Sequence, residues 1–104
     1  MSMRQSAIQL LQADEPGLGQ ATALLKAMAN ENRLRILCLL DEGEMSVTEL
    51  NKRLNLSQSA LSQHLAILRR EGIVATRRVS QTIYYSLQGQ QARQIINALG
   101  KLFT

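Results

Sequence analysis

Cysteine, histidine, proline and tryptophan are nearly absent from this 104-residue chain, which has Cys38, His64, Pro16 and no tryptophan. A lone cysteine excludes an internal disulfide and fits a reducing cytosol. One cysteine and one histidine fall short of the four ligands of an ordinary zinc site, so no metal is expected. Two tyrosines and one phenylalanine are the whole aromatic content, which leaves the core to leucine, isoleucine and alanine. No apolar run is long enough to span a membrane, and the N-terminus lacks a basic-then-apolar signal pattern. A soluble, cytoplasmic protein is expected. Gly17-Leu18-Gly19 lacks the third glycine and the preceding strand of a nucleotide loop. No nucleophile, base and oxyanion donors cluster together, so neither an enzyme nor a cofactor is expected. Ser62, Gln63 and His64 are no such cluster, because adjacent helix residues point in different directions.

What is present is positive charge, unevenly placed. The formal net charge is +4. Residues 46–87 hold Lys52, Arg53, Arg69, Arg70, Arg77 and Arg78 against Glu49 and Glu71, so six minus two accounts for all of it. A local basic surface points to a polyanion partner. The length suits a single domain, residues 1–104, small enough that pairing with a second copy would help it bury apolar surface.

The pattern along the chain is mainly helical with one small β-hairpin. Met3 to Gln12 reads as a short amphipathic helix with Ala7, Ile8 and Leu11 on one side, broken by Asp14-Glu15-Pro16-Gly17. A second helix from Leu18 to Ala29 buries Ala21, Leu24, Leu25 and Met28. Asn30 caps a third helix that holds Leu34, Leu37, Cys38 and Leu40 and stops around Asp41 to Gly43. Ser46-Val47-Thr48-Glu49 is a capping box opening a helix that ends near Leu54. Asn55-Leu56-Ser57 is a three-residue turn whose serine caps the next helix, which ends at Glu71-Gly72. Strands Ile73 to Arg78 and Thr82 to Leu87 flank a polar tip, Val79-Ser80-Gln81. A last helix, from about Gln90 to Phe103, aligns Ala92, Ile95, Ile96, Leu99, Leu102 and Phe103 on one seam, read as a dimer interface.

The stretch LSQSALSQHLAILRREGIV, residues 56–74, carries the functional signal. Leu61, Leu65 and Leu68 share one face, while Ser59, Gln63, Ala66 and Arg70 lie opposite with Ser62 beside them. Two capped helices joined by a short turn, over residues 46–70, form a helix-turn-helix, and the hairpin of residues 73–87 makes it a winged one. The second helix fits the DNA major groove, where base edges present distinct donor and acceptor patterns. Ser57, Ser59 and Ser62 permit close approach, and Gln58 and Gln63 offer amides to a base edge or phosphate. His64, at the border of the leucine stripe, is assigned a structural hydrogen bond or a phosphate contact rather than catalysis. Arg77, Arg78 and Gln81 are placed against the backbone or minor groove, with Lys52, Arg53, Arg69 and Arg70 adding phosphate contacts.

Leu25 to Leu34 (LKAMANENRL), followed by residues 56–74 and then Gln81-Thr82-Ile83-Tyr84-Tyr85, resembles the ArsR/SmtB family of winged-helix repressors over nearly the whole chain after residue 18. Within that family, LRILCLL with LSQSALSQHL most resembles the HlyU and BigR branch, which responds to redox or sulfur species. The resemblance implies a homodimer joined through the first and last helices, with segments 18–29 and 90–103 at the interface. It also implies a palindromic double-stranded DNA operator, read by two helices about 34 Å apart. Metal-sensing members carry cysteine pairs on the first helix of the motif or His and Asp on the last, and residues 47–54 and 90–104 lack them. The redox branch pairs a cysteine on the third helix with one near the C-terminus; Cys38 matches the first, and Thr104 occupies the second position. Cys38 is thus open to two readings, a buried small hydrophobe or a redox-sensing thiol acting without an internal partner. The function expected is a repressor released by thiol oxidation or reactive sulfur at Cys38. The alternative is an architectural or anti-repressor DNA-binding protein with no sensing thiol.

Overall fold

A computed structural model describes residues 3–12 and 17–104. The expected break at Asp14 to Pro16 lies outside the described residues. The element order is α1 (Met3–Gln12), α2 (Gly17–Met28), α3 (Glu31–Glu42), β1 (Met45–Ser46), α4 (Val47–Arg53), α5 (Gln58–Arg70), β2 (Val74–Val79), β3 (Thr82–Leu87) and α6 (Gln91–Phe103). This is a mostly helical winged helix-turn-helix.

The core is aliphatic. Ile36, Leu37 and Leu40 of α3 meet Leu50 of α4, Leu61, Leu65 and Leu68 of α5, and Ala92 and Ile96 of α6. Ile73 and Val74 close it from the sheet, and Ala27 and Met28 from the end of α2. Leu25, expected inside, is 55% exposed. The reason is angular: Ala21, Leu24, Ala27 and Met28 define the inward stripe of α2, and Leu25 lies about 100° around the helix from Leu24.

Local chemistry sets the helix ends. Asn30 caps α3 by accepting from the Arg33 backbone N–H at 3.0 Å. Gly72 takes a left-handed φ of 72° after α5, and the Ile73 N–H reaches back to the Leu68 carbonyl at 2.9 Å. That backbone conformation suits glycine and turns the chain from α5 into β2.

The expected hairpin is the larger part of a three-stranded antiparallel sheet in the order β1-β3-β2. Met45 pairs with Tyr85 and Ser46 with Tyr84. A two-residue strand is too short to show alternation, and Ser46 also carries the helix-cap signature that dominates the sequence there. Val79, expected in the tip, pairs with Thr82, so the turn narrows to Ser80-Gln81, with Ser80 at φ 57°.

Apolar surface remains uncovered at the two ends of the chain. Every residue of α1 from Gln5 to Gln12 is exposed, including Ile8, Leu10 and Leu11. The α6 seam begins buried at Ala92 and Ile96 and runs out beyond the core, leaving Leu102 and Phe103 exposed. Arg93 ties α6 to α3 by pairing with Asp41. The Cα radius of gyration is 15.1 Å, with extents of 46 × 31 × 21 Å. A compact chain of this length would have about 13 Å.

Candidate nucleic-acid interface

Two capped helices build the motif. In α4 the capping box is complete: the Ser46 hydroxyl accepts from the Glu49 N–H and the Glu49 carboxylate accepts from the Ser46 N–H, both at 3.1 Å. Ser57 caps α5 by accepting from the Ala60 N–H at 3.0 Å. Its hydroxyl therefore already holds the helix start, a task the sequence also assigned it.

The faces of α5 divide sharply. Leu61, Leu65 and Leu68 are 0%, 1% and 0% exposed. Gln58, Ser59, Ser62, Gln63, Ala66 and Arg70 are all exposed. Among the described residues, the side chains of Gln58, Ser59, Ser62 and Gln63 have no hydrogen-bond partner, so their donors and acceptors face solvent. Arg70 reaches Glu71 at 3.6 Å, an exposed pair of little energetic weight. Between α5 and the sheet, Val47, Ser62, Leu65, Ala66, Arg69, Arg70 and Tyr85 line a cleft of about 450 Å³.

His64 stands apart from that outer row. It is half-buried and its Nδ1 accepts from the Arg33 guanidinium of α3 at 3.4 Å. Arg33 also donates through Nε to the Ala27 carbonyl at 2.6 Å. Burial first, then the adjacent Arg33 charge, push the His64 pKa below its ordinary value. The contact joins α5 to α3.

The wing arginines part company. In the β2–β3 register Arg77 faces Tyr84 and Arg78 faces Ile83. Alternation puts Arg78 on the sheet face of Thr76, Tyr85 and Val74, the face that meets α5 and the core. Arg77 and Tyr84 share the other face. There Arg77 is held by Glu44, with Nε to Oε2 at 3.0 Å and Nη2 to Oε1 at 2.6 Å, and it lies over the Tyr84 ring at 5.2 Å. Gln81 is exposed in the turn. Arg53 is 3.9 Å from Glu42, whereas Lys52, Arg69 and Arg78 form no ion pair with the described residues. The Glu44–Arg77 and Arg33–His64 contacts were missed in the sequence. Each acts across many residues of chain, and no spacing rule links Glu44 to Arg77.

Cys38 is exposed, which removes the buried-hydrophobe reading within a single chain. It opens on an apolar groove of about 770 Å³ between α3 and the end of α6, shared with Leu34, Ile96, Leu99, Phe103 and Thr104. The fold therefore brings Cys38 and Thr104 to the same groove. Among the described residues no three His, Cys, Asp or Glu side chains gather as metal ligands. Nor is any described helix long and apolar enough to cross a membrane.

A capped helix-turn-helix with a solvent-facing second helix and a flanking wing defines the class of winged helix-turn-helix regulators. Residues 30–76 match the family model described as bacterial regulatory protein, arsR family. The transcriptional activator HlyU of Vibrio cholerae is 54% identical over 93 residues, covering 89% of this chain and 86% of that protein. Its solved structure superposes with a TM-score of 0.81 at 53% identity, over 86% of this chain and 98% of that one. The transcriptional repressor BigR of Xylella fastidiosa superposes with a TM-score of 0.82 at 36% identity, over 100% of this chain and 98% of that one. The chain belongs to the ArsR family of bacterial regulatory proteins, within the branch that holds HlyU and BigR. It is a DNA-binding transcriptional regulator, not an enzyme.

Proposed function

We propose that this chain is a sequence-specific homodimeric repressor that acts in the cytoplasm and releases its operator when Cys38 reacts. The reading is carried by one observation: the outer row of α5 offers unpartnered serine and glutamine groups from a helix whose other face is a fully buried leucine stripe. In the major groove, Ser59, Ser62 and Gln63 read base edges, and Gln58 and Arg70 flank them. Arg78, on the sheet face shared with α5, contacts the neighbouring backbone with Gln81, and Lys52, Arg53 and Arg69 add phosphate contacts. Ser57 and His64 serve this surface by fixing the helix that carries it. Two copies related by a two-fold axis match an imperfect palindrome. The exposed apolar residues of α1 and of the end of α6 support that pairing.

Release begins at Cys38, exposed on α3, which packs against both α6 and α5. When the thiolate attacks the outer sulfur of a polysulfide, a new S–S bond forms on Cys38. The old S–S bond breaks, and the displaced sulfur leaves with the electron pair as a thiolate. With no second cysteine in the chain, the product is a persulfide, or with a peroxide a sulfenic acid as the O–O bond breaks and hydroxide leaves. Attack on either by the partner's Cys38 thiolate gives a bond between subunits, with hydrosulfide or hydroxide leaving.

A second reading, an anti-repressor that displaces another regulator without a sensing thiol, is favoured by the name of the Vibrio relative, a transcriptional activator. Genomic footprinting with reduced and with polysulfide-treated protein separates the two. The repressor reading expects palindromic sites that empty on treatment and stay filled in Cys38→Ser. Sites that overlap those of another regulator and ignore treatment support the anti-repressor. Equal affinity for random and palindromic duplexes at matched salt points to an architectural binder.

A further inference from the structure

The wing holds a charge pair that groove reading does not use. Glu44 lies just before β1, at one edge of the sheet, and Arg77 lies on β2 at the other edge. The middle strand β3 puts Tyr84 between them, in register with Ser46 on one side and Arg77 on the other. Arg77 therefore reaches across the Tyr84 ring to Glu44 and meets both carboxylate oxygens. The fork-on-carboxylate fit is the strongest form of this contact. Its hydrogen bonds hold the Glu44 carboxyl below the usual range, so it stays ionised at neutral pH. On the opposite face, Arg78 has no such partner among the described residues.

We infer that Glu44 is a positioning residue of the wing, clamping Arg77 against the far side of the sheet so that Arg78 alone approaches the DNA backbone from this strand. The clamp withholds one positive charge from nucleic acid. A guanidinium already neutralised by a carboxylate releases no counterion from DNA, so Arg77 is silent in the salt dependence of binding. This inference rests on the DNA-binding reading above.

The test is the salt dependence of binding to a labelled random-sequence duplex, since phosphate contacts do not depend on sequence. Arg78→Gln flattens the slope by about 1.8, one phosphate for each protomer of the proposed dimer. Arg77→Gln leaves the wild-type slope in place. Glu44→Gln frees Arg77 in both protomers and steepens the slope by about 1.8, so that a rise from 50 to 200 mM salt costs about twelve-fold more affinity than in wild type. The double variant Glu44→Gln with Arg77→Gln returns to the wild-type slope, which a general loosening of the wing would not do. If Arg77→Gln flattens the slope as Arg78→Gln does, or Glu44→Gln leaves it unchanged, the clamp is overturned while DNA binding stands. If wild type fails to bind the duplex at low salt, the DNA-binding reading falls and the clamp falls with it.

Discussion

Helices α5 and α6 are each 13 residues long, and each carries one continuous apolar stripe. In α5 the stripe disappears completely into the chain's own core. In α6 it starts at the buried Ala92 and ends at Phe103, 79% exposed. An apolar stripe states that a helix needs a cover, not that the cover belongs to the same chain. The difference comes from position: α5 packs against α3 and the sheet, whereas the last turn of α6 borders the open apolar groove that it shares with Leu34 and Cys38. The fully covered helix is free to devote its other face to a ligand. The half-covered one leaves apolar area exposed, which a second copy would cover in the proposed homodimer.

The sharpest way to test that contrast is to cut the two stripes. Leu65→Ala removes a side chain with no route for relaxation, and a loss of about 2–5 kcal/mol in chemical denaturation is expected. Phe103→Ala should leave denaturation of the isolated chain nearly unchanged. Instead it should weaken self-association, by about 1.5–3 kcal/mol if the ring is fully covered in the pair. Sedimentation over a range of protein concentrations reads the second effect. If Phe103→Ala unfolds the protein as Leu65→Ala does, the stripes are equivalent and the contrast is lost.

The outer face of α5 sharpens the comparison from the other side. Gln63→Ala, which touches no described neighbour through a hydrogen bond, should leave stability within experimental scatter. It should reduce the preference for operator over random duplex by about 1–3 kcal/mol. Competition binding against the footprinted site measures that preference. A fall in stability with intact preference would mean that this face is packed rather than presented.

Much of this architecture is legible in the sequence because it is set by short-range chemistry. Asn30, Ser46 with Glu49, and Ser57 each satisfy helix N–H groups within three residues, so the helix starts are written locally. The leucine stripe of α5 follows from period alone. What could not be read depends on contacts between distant residues. Strand β1 exists because β3 pairs with it, the Glu44–Arg77 clamp spans 33 positions, and the Arg33–His64 contact spans 31. The exposure of Cys38 depends on how α3 packs against α6, which helical periodicity does not encode. Likewise Leu25 looked apolar enough to bury, yet it lies off the stripe of α2 that the fold turns inward and is exposed.

The smallest effect concerns how α5 is held to α3. His64 accepts from Arg33 only as a neutral ring, and its pKa in the fold is lowered by burial and by that guanidinium. The unfolded chain therefore binds its proton at a higher pH than the folded one does. Between the ordinary histidine value of about 6.5 and the lowered folded value, the unfolded state carries more protons, so folding stability falls as pH falls. Above that window the contribution is fully present; below it the loss is complete. Because the ring is only half-buried, the change is small, and it is best seen as a difference between variants. In urea denaturation at stepped pH, wild type should weaken below the ordinary histidine value, and His64→Gln, which keeps a polar group at the site, should not show that component. An identical pH profile in the two proteins would mean that the Arg33 contact does not select the neutral ring, and α5 would then be positioned by its leucine face alone.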